Sequence, residues 1–261
     1  MPSTREPAVA GLFYPADPQK LQLLVHRYLD LATTGSQAPK ALIVPHAGYR
    51  YSGGIAANAY HLLEQAGDKI HSVVLIGPSH HVGFRGIAVP SVDYFTTPLG
   101  NVLIDKSKIA AISELPFVQT RDDAHQEEHS LEVQLPFLQE LLEEFSLVPI
   151  VAGKVSAEEI ATVLECLWGG PETLIIISSD LSHYHDYITA TQMDLETSKA
   201  IEHLRPELIE DGSACGRVAV SGLLNVARKF GLGAHTLDLR NSGDTAGSKD
   251  RVVGYGAYEF H

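Results

Sequence analysis

The chain has 261 residues, 44% of them hydrophobic and 20% charged, a globular composition. A chain of that length buries roughly 70–75% of its unfolded surface and needs neither disulfides nor metal merely to fold. Its 19 Lys and Arg against 32 Asp and Glu leave a net charge of −13, which repels nucleic-acid backbones and anionic membranes, and no basic run reverses this locally.

Nucleic acid is therefore not expected as a partner. Two cysteines, Cys166 and Cys215, are too few for a secreted disulfide scaffold. Residues 1–15 lack the charged-then-apolar pattern of a signal peptide, and no run approaches the ~20 apolar residues of a membrane span. A cytoplasmic protein without a membrane segment is the expectation.

Asp17-Pro18 opens the first helix with an N-cap and a proline in the first turn, and Leu21, Leu24, Tyr28 and Leu29 line one face. Ala41–Val44 reads as a buried strand, followed by a glycine-rich turn and a helix from about Ile55 to Glu64. Ser72–Ile76 is a second buried strand, and shorter strand pieces fall near Gly86–Val89 and Asn101–Ile104. Ser130–Phe145 has a helical period that Pro136 should kink. Leu147–Val151 is a strand, Ser156-x-x-Glu159 a capping box that starts the next helix, and Leu174–Ile177 the third strongly apolar strand. Helices over about 188–204 and 216–230 and strands at Thr236–Leu239 and Val252–Phe260 complete the chain.

Continuous apolar runs indicate strands buried on both faces, and their alternation with helices indicates an α/β/α sandwich around a mixed, largely parallel sheet. No repeat, linker or change of composition divides residues 1–261, which read as one domain.

Ligands of such sheets bind beyond the carboxyl ends of the strands. The first buried strand runs into Pro45-His46-Ala47-Gly48-Tyr49, the second into Gly77-Pro78-Ser79-His80-His81, the third into Ser178-Ser179-Asp180-Leu181-Ser182-His183. One histidine after a strand is most often structural; three, if the strands are neighbours, converge on one cleft. Clustered imidazoles with carboxylates suit Fe, Zn, Cu or Ni.

The segment Asp122–His129 starts acidic, as a helix dipole favours, but its end, Glu128-His129-Ser130, leads directly into an apolar stretch and is a candidate for the same cleft. Cys215, in Gly212-Ser213-Ala214-Cys215-Gly216-Arg217, sits where a helix begins. Its thiol pKa should be lowered there, further so by Arg217, and it reads as a thiolate ligand, a nucleophile or a small buried hydrophobe. Cys166, inside an apolar helical pattern, reads as core. Asn241–Thr245 reads as a turn after a strand. P-loop, G-x-S-x-G, H-E-x-x-H, dinucleotide-fingerprint and C-x-x-C motifs are absent.

In combination, Arg5–Tyr14, Pro45–Tyr49, Gly77–Val82, Thr97–Leu99, Glu128–Glu132, Ser178–Asp180, Cys215–Arg217 and Val253–Tyr255 resemble the Memo-like family, called AmmeMemoRadiSam system protein B in prokaryotes. The resemblance runs nearly end to end. It implies a fold similar to class III extradiol dioxygenases and a metal site of His46, His80 and Cys215, with Asp180 and His183 beside it. A thiolate where those dioxygenases carry a carboxylate is softer and favours copper(I) or zinc over iron(II), so the ring-opening activity does not transfer with the fold.

Three functions follow as expectations. The first is a mononuclear non-haem iron oxidoreductase acting on a small molecule, with His183 as acid or base, Asp180 orienting a histidine, and Glu128 or His129 lining the cleft; copper and zinc are the alternative metals. The second is a binding or scaffold protein with a vestigial pocket, since eukaryotic relatives are linked to motility signalling and phosphotyrosine peptides. The third is a zinc hydrolase with Glu128 as base. The family name also implies a functional link to radical-SAM and AMMECR-type proteins.

Overall fold

The computed structural model describes residues 2–32, 35 and 37–261. Its strands are β1 (Thr4–Arg5), β2 (Ala41–Val44), β3 (Ser72–Pro78), β4 (Ile87–Val89), β5 (Tyr94–Thr97), β6 (Gly100–Ile104), β7 (Val118–Thr120), β8 (Ser146–Ala152), β9 (Thr173–Ser178), β10 (His183–His185), β11 (Ala234–Asn241) and β12 (Val252–Phe260). Its helices are α1 (Pro18–Asp30), α2 (Tyr49–Tyr60), α3 (Lys106–Ser113), α4 (Asp122–Gln126), α5 (Leu135–Leu141), α6 (Ala157–Leu167), α7 (Tyr187–Glu202) and α8 (Arg217–Phe230).

The sheet runs β1-β5-β6-β8-β3-β9-β2-β12-β10, with β11 paired to β12 and β4 joining β8 to β7. Its centre, β6-β8-β3-β9-β2, is parallel throughout, and antiparallel strands border it on both sides. Every residue of β2 and β9 is buried, as their unbroken apolar runs require of strands covered on both faces. Helices α1, α2 and α5 form one covering layer and α3, α6 and α8 the other, so the architecture is an α/β/α sandwich.

The strands that end in histidine motifs are neighbours. β9 lies between β3 and β2, all three parallel, with Ile177 opposite both Ile76 and Ile43. Their following loops leave the same sheet edge side by side.

Three local expectations need correction. Helix α2 starts at Tyr49, not near Ile55, and Gly53 lies inside it. A Cβ at Gly53 would sit 2.6 Å from the Tyr28 ring, so the glycine lets α1 approach α2 rather than making a turn. The helix expected over Ser130–Phe145 is a 3-10 turn at Glu132–Gln134 followed by α5, and Pro136 falls in the first turn of α5, where its missing N–H costs nothing and no kink results. Cys166 is exposed: α6 buries Ile160, Val163, Leu164 and Leu167 and presents Cys166 on its outer face.

Candidate metal centre

His46 follows β2, is buried, and is fixed at both ends of its residue. Its backbone N–H donates to Asp180 Oδ1 at 2.7 Å, and its Nδ1 lies 3.0 Å from Ser178 Oγ. The Ser178 hydroxyl already donates to Ser130 O (2.6 Å) and accepts from Gln134 Nε2 (2.8 Å). Gln134 is oriented in turn, because its Nε2 also donates to Pro45 O and its Oε1 accepts from the Tyr60 hydroxyl. With its one proton committed, Ser178 can only accept from His46. The proton of His46 is therefore on Nδ1, and the Nε2 lone pair faces the cleft.

His80 follows β3 and reaches the same state by a different partner. Glu128 accepts from the His80 backbone N–H (2.6 Å) and pairs with its Nδ1 (2.8 Å), and it also accepts from Ser130 N (2.9 Å). Burial alone would raise the Glu128 pKa, but these donors hold it down at about 2, so it is a carboxylate at neutral pH. The His80 proton is on Nδ1 and its Nε2 is free.

Cys215 precedes α8. Its Sγ lies 3.3 Å from His46 Nε2 and accepts from the Asp180 backbone N–H at 3.3 Å, while Ser179 Oγ is 3.8 Å away. The sequence expectation of a lowered thiol pKa is reversed. Burial and the neighbouring Asp180 push the thiol up to about 12, and Arg217 turns away to pair with Asp211.

The donor atoms of His46, His80 and Cys215 all lie within 4.8 Å of one another. Two imidazoles, each with its Nδ1 tethered, plus one thiol that a cation would deprotonate, are a donor set that fits a transition-metal ion. A second group, His80, Glu128 and His129, also has donor atoms within that distance. It shares His80 with the first, and its Glu128 already pairs with His80 Nδ1.

The structure gathers the remaining expected residues around these three. His129 stacks on the His80 ring (centroids 4.6 Å, 28°), packs against Phe13, and has its pKa lowered by burial to about 4. Asp180 is buried and raised by that burial to about 7, against the backbone N–H groups of His46 and Ala47 that bind it. It thus positions His46 through the main chain; the imidazole itself is oriented by Ser178. His183 donates Nδ1–H to Leu181 O (2.8 Å), keeps Nε2 free, and is close enough to His46 and His80 to interact electrostatically. The turn at Asn241 closes on itself as a capping box with Asp244 and contributes no side chain to the three-donor group.

Sequence reasoning missed the residues that hold this arrangement, Ser178, Gln134, Arg5 and Glu132. Arg5 and Glu132 form an ion pair with side chains 5% and 0% exposed. Arg5 also donates to His125 O and Glu128 O, and Glu132 accepts from Ala8 N, Val9 N and the Tyr14 hydroxyl. The N-terminal segment is thereby tied to the loop that carries Glu128. Their only signal was their place in the Arg5–Tyr14 and Glu128–Glu132 motifs.

The sequence model of the family described as "Memo-like protein" matches residues 5–259. A "MEMO1 family protein" of Ignicoccus hospitalis is 36% identical over a 281-residue alignment covering 98% of each chain. Another of Aquifex aeolicus is 38% identical over 262 residues, covering 96% of this chain and 97% of its own. A third, from Saccharolobus islandicus, is 34% identical over 282 residues, with 98% and 99% covered. The chain belongs to the Memo-like family.

Proposed function

We propose that this protein holds one transition-metal ion through His46 Nε2, His80 Nε2 and Cys215 Sγ, and that it is a mononuclear iron-dependent oxidoreductase acting on a small substrate. One observation carries the reading: two imidazoles have their Nδ1 atoms held by buried acceptors, the Nε2 of His46 lies 3.3 Å from the Cys215 thiol, and donor atoms of His46, His80 and Cys215 all fall within 4.8 Å of one another. A structural histidine has no need of such tethering on one side and freedom on the other. A bound metal supplies a Lewis-acidic, redox-active centre there.

The chain's own residues do the rest. His183, neutral at pH 7 because burial lowers its pKa, has a free Nε2 lone pair and accepts a proton from the substrate. Asp180, raised to about 7, exchanges a proton near neutrality behind Cys215. Glu128 is committed to three donors and held at about 2, which suits positioning and argues against a hydrolytic base. Its geometry therefore favours the oxidoreductase over the zinc hydrolase.

The test is metal content by mass spectrometry after purification without oxygen and without a metal-affinity resin, with His46→Ala and Cys215→Ser in parallel. About one equivalent of iron in the parent, lost in both variants, is expected. One equivalent of zinc or copper instead of iron overturns the iron-dependent reading and points to hydrolysis or metal handling. No metal in the parent protein refutes the metal site and leaves a binding role in its place.

A further inference from the structure

The cleft beside Cys215 has a feature that metal binding does not use. It encloses about 560 Å³, Ser79 and Cys215 stand in its wall, and no carboxylate lines it in a chain with 32 acidic residues. Its two charged residues are Arg85 and Lys154.

These two cations are held together by the backbone. Arg85 and Lys154 are partners in an isolated parallel bridge. Around it, Gly86 N donates to Lys154 O at 2.9 Å, Lys154 N to Phe84 O at 2.7 Å, and Gly153 N to Gly86 O at 3.0 Å. Gly86 has φ +84°, and a Cβ there would sit 2.2 Å from Phe117 O; one at Gly153 would sit 2.6 Å from Phe84 O. The close approach that pairs the two cations thus depends on glycine at 153, while Gly86 is required by its positive φ and by the approach of Phe117.

Like charges placed opposite each other across paired strands repel. Among the described residues, neither Arg85 nor Lys154 has an ion pair or side-chain hydrogen bond to relieve this. Glu159, which lines the adjoining depression with both of them, gives its carboxylate to Ser156 N to cap α6. Two exposed cations without an ion-pair partner, in an open depression that no carboxylate lines, make a local positive patch in a protein whose net charge is −13.

We propose that Arg85 and Lys154 bind an oxyanion group of the substrate, a carboxylate or a phosphate, and so direct the rest of the molecule along the cleft toward Cys215. Arg85 supplies the planar, two-pronged donor set and Lys154 a point charge. The proposal rests on the metal-centre reading only for what the anchored molecule is presented to; the anion subsite stands apart from the ligands.

Ligand-observed saturation-transfer NMR on the full chain tests it, with benzoate, its neutral analogue benzamide and inorganic phosphate as probes. The proteins are the parent, the double variant Arg85→Gln/Lys154→Gln, and His46→Ala, each with metal content and melting temperature measured. Saturable benzoate binding that phosphate displaces, with benzamide at least about tenfold weaker, is expected of the parent. The double variant should lose at least about tenfold in benzoate affinity at unchanged melting temperature and metal content. His46→Ala should lose metal yet keep the phosphate-displaceable benzoate signal. A phosphate affinity above that of benzoate would assign the group as a phosphate ester, and the reverse order as a carboxylate. Benzoate binding no tighter than benzamide, or undiminished in the double variant, overturns the proposal. So does benzoate binding that disappears in His46→Ala alone, which would place the carboxylate on the metal.

Discussion

Ser178 decides which nitrogen of His46 faces the cleft. Its hydroxyl proton goes to Ser130 O, so it can only accept from Nδ1–H. Replacing it with alanine leaves the Ser130 carbonyl without that donor and the Gln134 amide without one acceptor, in a wholly buried place. Ser178→Ala should destabilise the metal-free protein by about 1–3 kcal/mol in urea titration. It should also weaken metal binding by about 10–100-fold in competition with a chelating indicator. Glu128→Gln should cost a similar factor in metal affinity, because the substitution removes the charge that His80 Nδ1–H is paired with. Unchanged affinity in both variants would mean that the tethers serve packing alone. Neither the role of Ser178 nor that of Gln134 could be read from the sequence, although Ser178 falls in the Ser178–Asp180 motif. A serine at the end of an apolar strand and a glutamine in a short turn have no signature; their roles arise only when β9 and the 128–134 segment meet.

Elements, by contrast, were largely legible where hydrophobic period and caps agree. Helix α1 with its Asp17 cap, the capping box of α6 and the buried runs of β2, β3 and β9 are local properties, and each forms where the pattern places it. Legibility failed where a partner element decides. Gly53 looks like a turn until Tyr28 is seen lying on it, and the stretch after Ser130 looks helical until Ser130 and Glu128 are seen serving β9 and His80. Two glycines, one at the N-cap of α8 and one inside it, test the same principle. A Cβ on Gly216 would sit 2.7 Å from Ser179 Cβ, and one on Gly222 would sit 2.4 Å from Ile160 Cγ2. Both substitutions to alanine overpack the contact, Gly222→Ala against a gain in helix propensity of at most about 1 kcal/mol and Gly216→Ala, at the N-cap, with none, and each should cost about 1–3 kcal/mol in thermal unfolding. Only Gly216→Ala presses where Cys215 meets the end of β9, so only it should also lower metal stoichiometry or affinity. Equal metal binding by the two variants would show that the position of Cys215 does not depend on this approach.

At the scale of the whole molecule, the sheet order turns three separate strand ends into one site, and the convergence was conditional on that order: His46, His80 and His183 meet because β2, β9 and β3 are neighbours. The cost is a cluster of ionisable groups removed from water, and it sets how stability depends on pH. Burial lowers the pKa of His46 well below its ordinary value, and those of His125 and His129 to about 4. The unfolded chain takes up protons on these histidines below about pH 6.5, whereas the folded protein does not. Each therefore contributes stability that is present above 6.5 and lost as the pH falls toward 4. Asp180 works in the opposite sense. Raised to about 7, it binds a proton in the folded state that the unfolded chain does not bind above its ordinary carboxylate range, so it adds stability as the pH falls from 7 toward 4. Burial depresses His183 as well and also raises the Asp194 carboxyl; four depressed histidines outweigh two raised carboxyls, and the metal-free protein should melt at progressively lower temperature between pH 6.5 and 4.5. Asp180→Asn removes part of the offset and should steepen that decline. A melting temperature that is flat over this range, or that rises toward acid, would mean that water reaches these histidines in the folded protein.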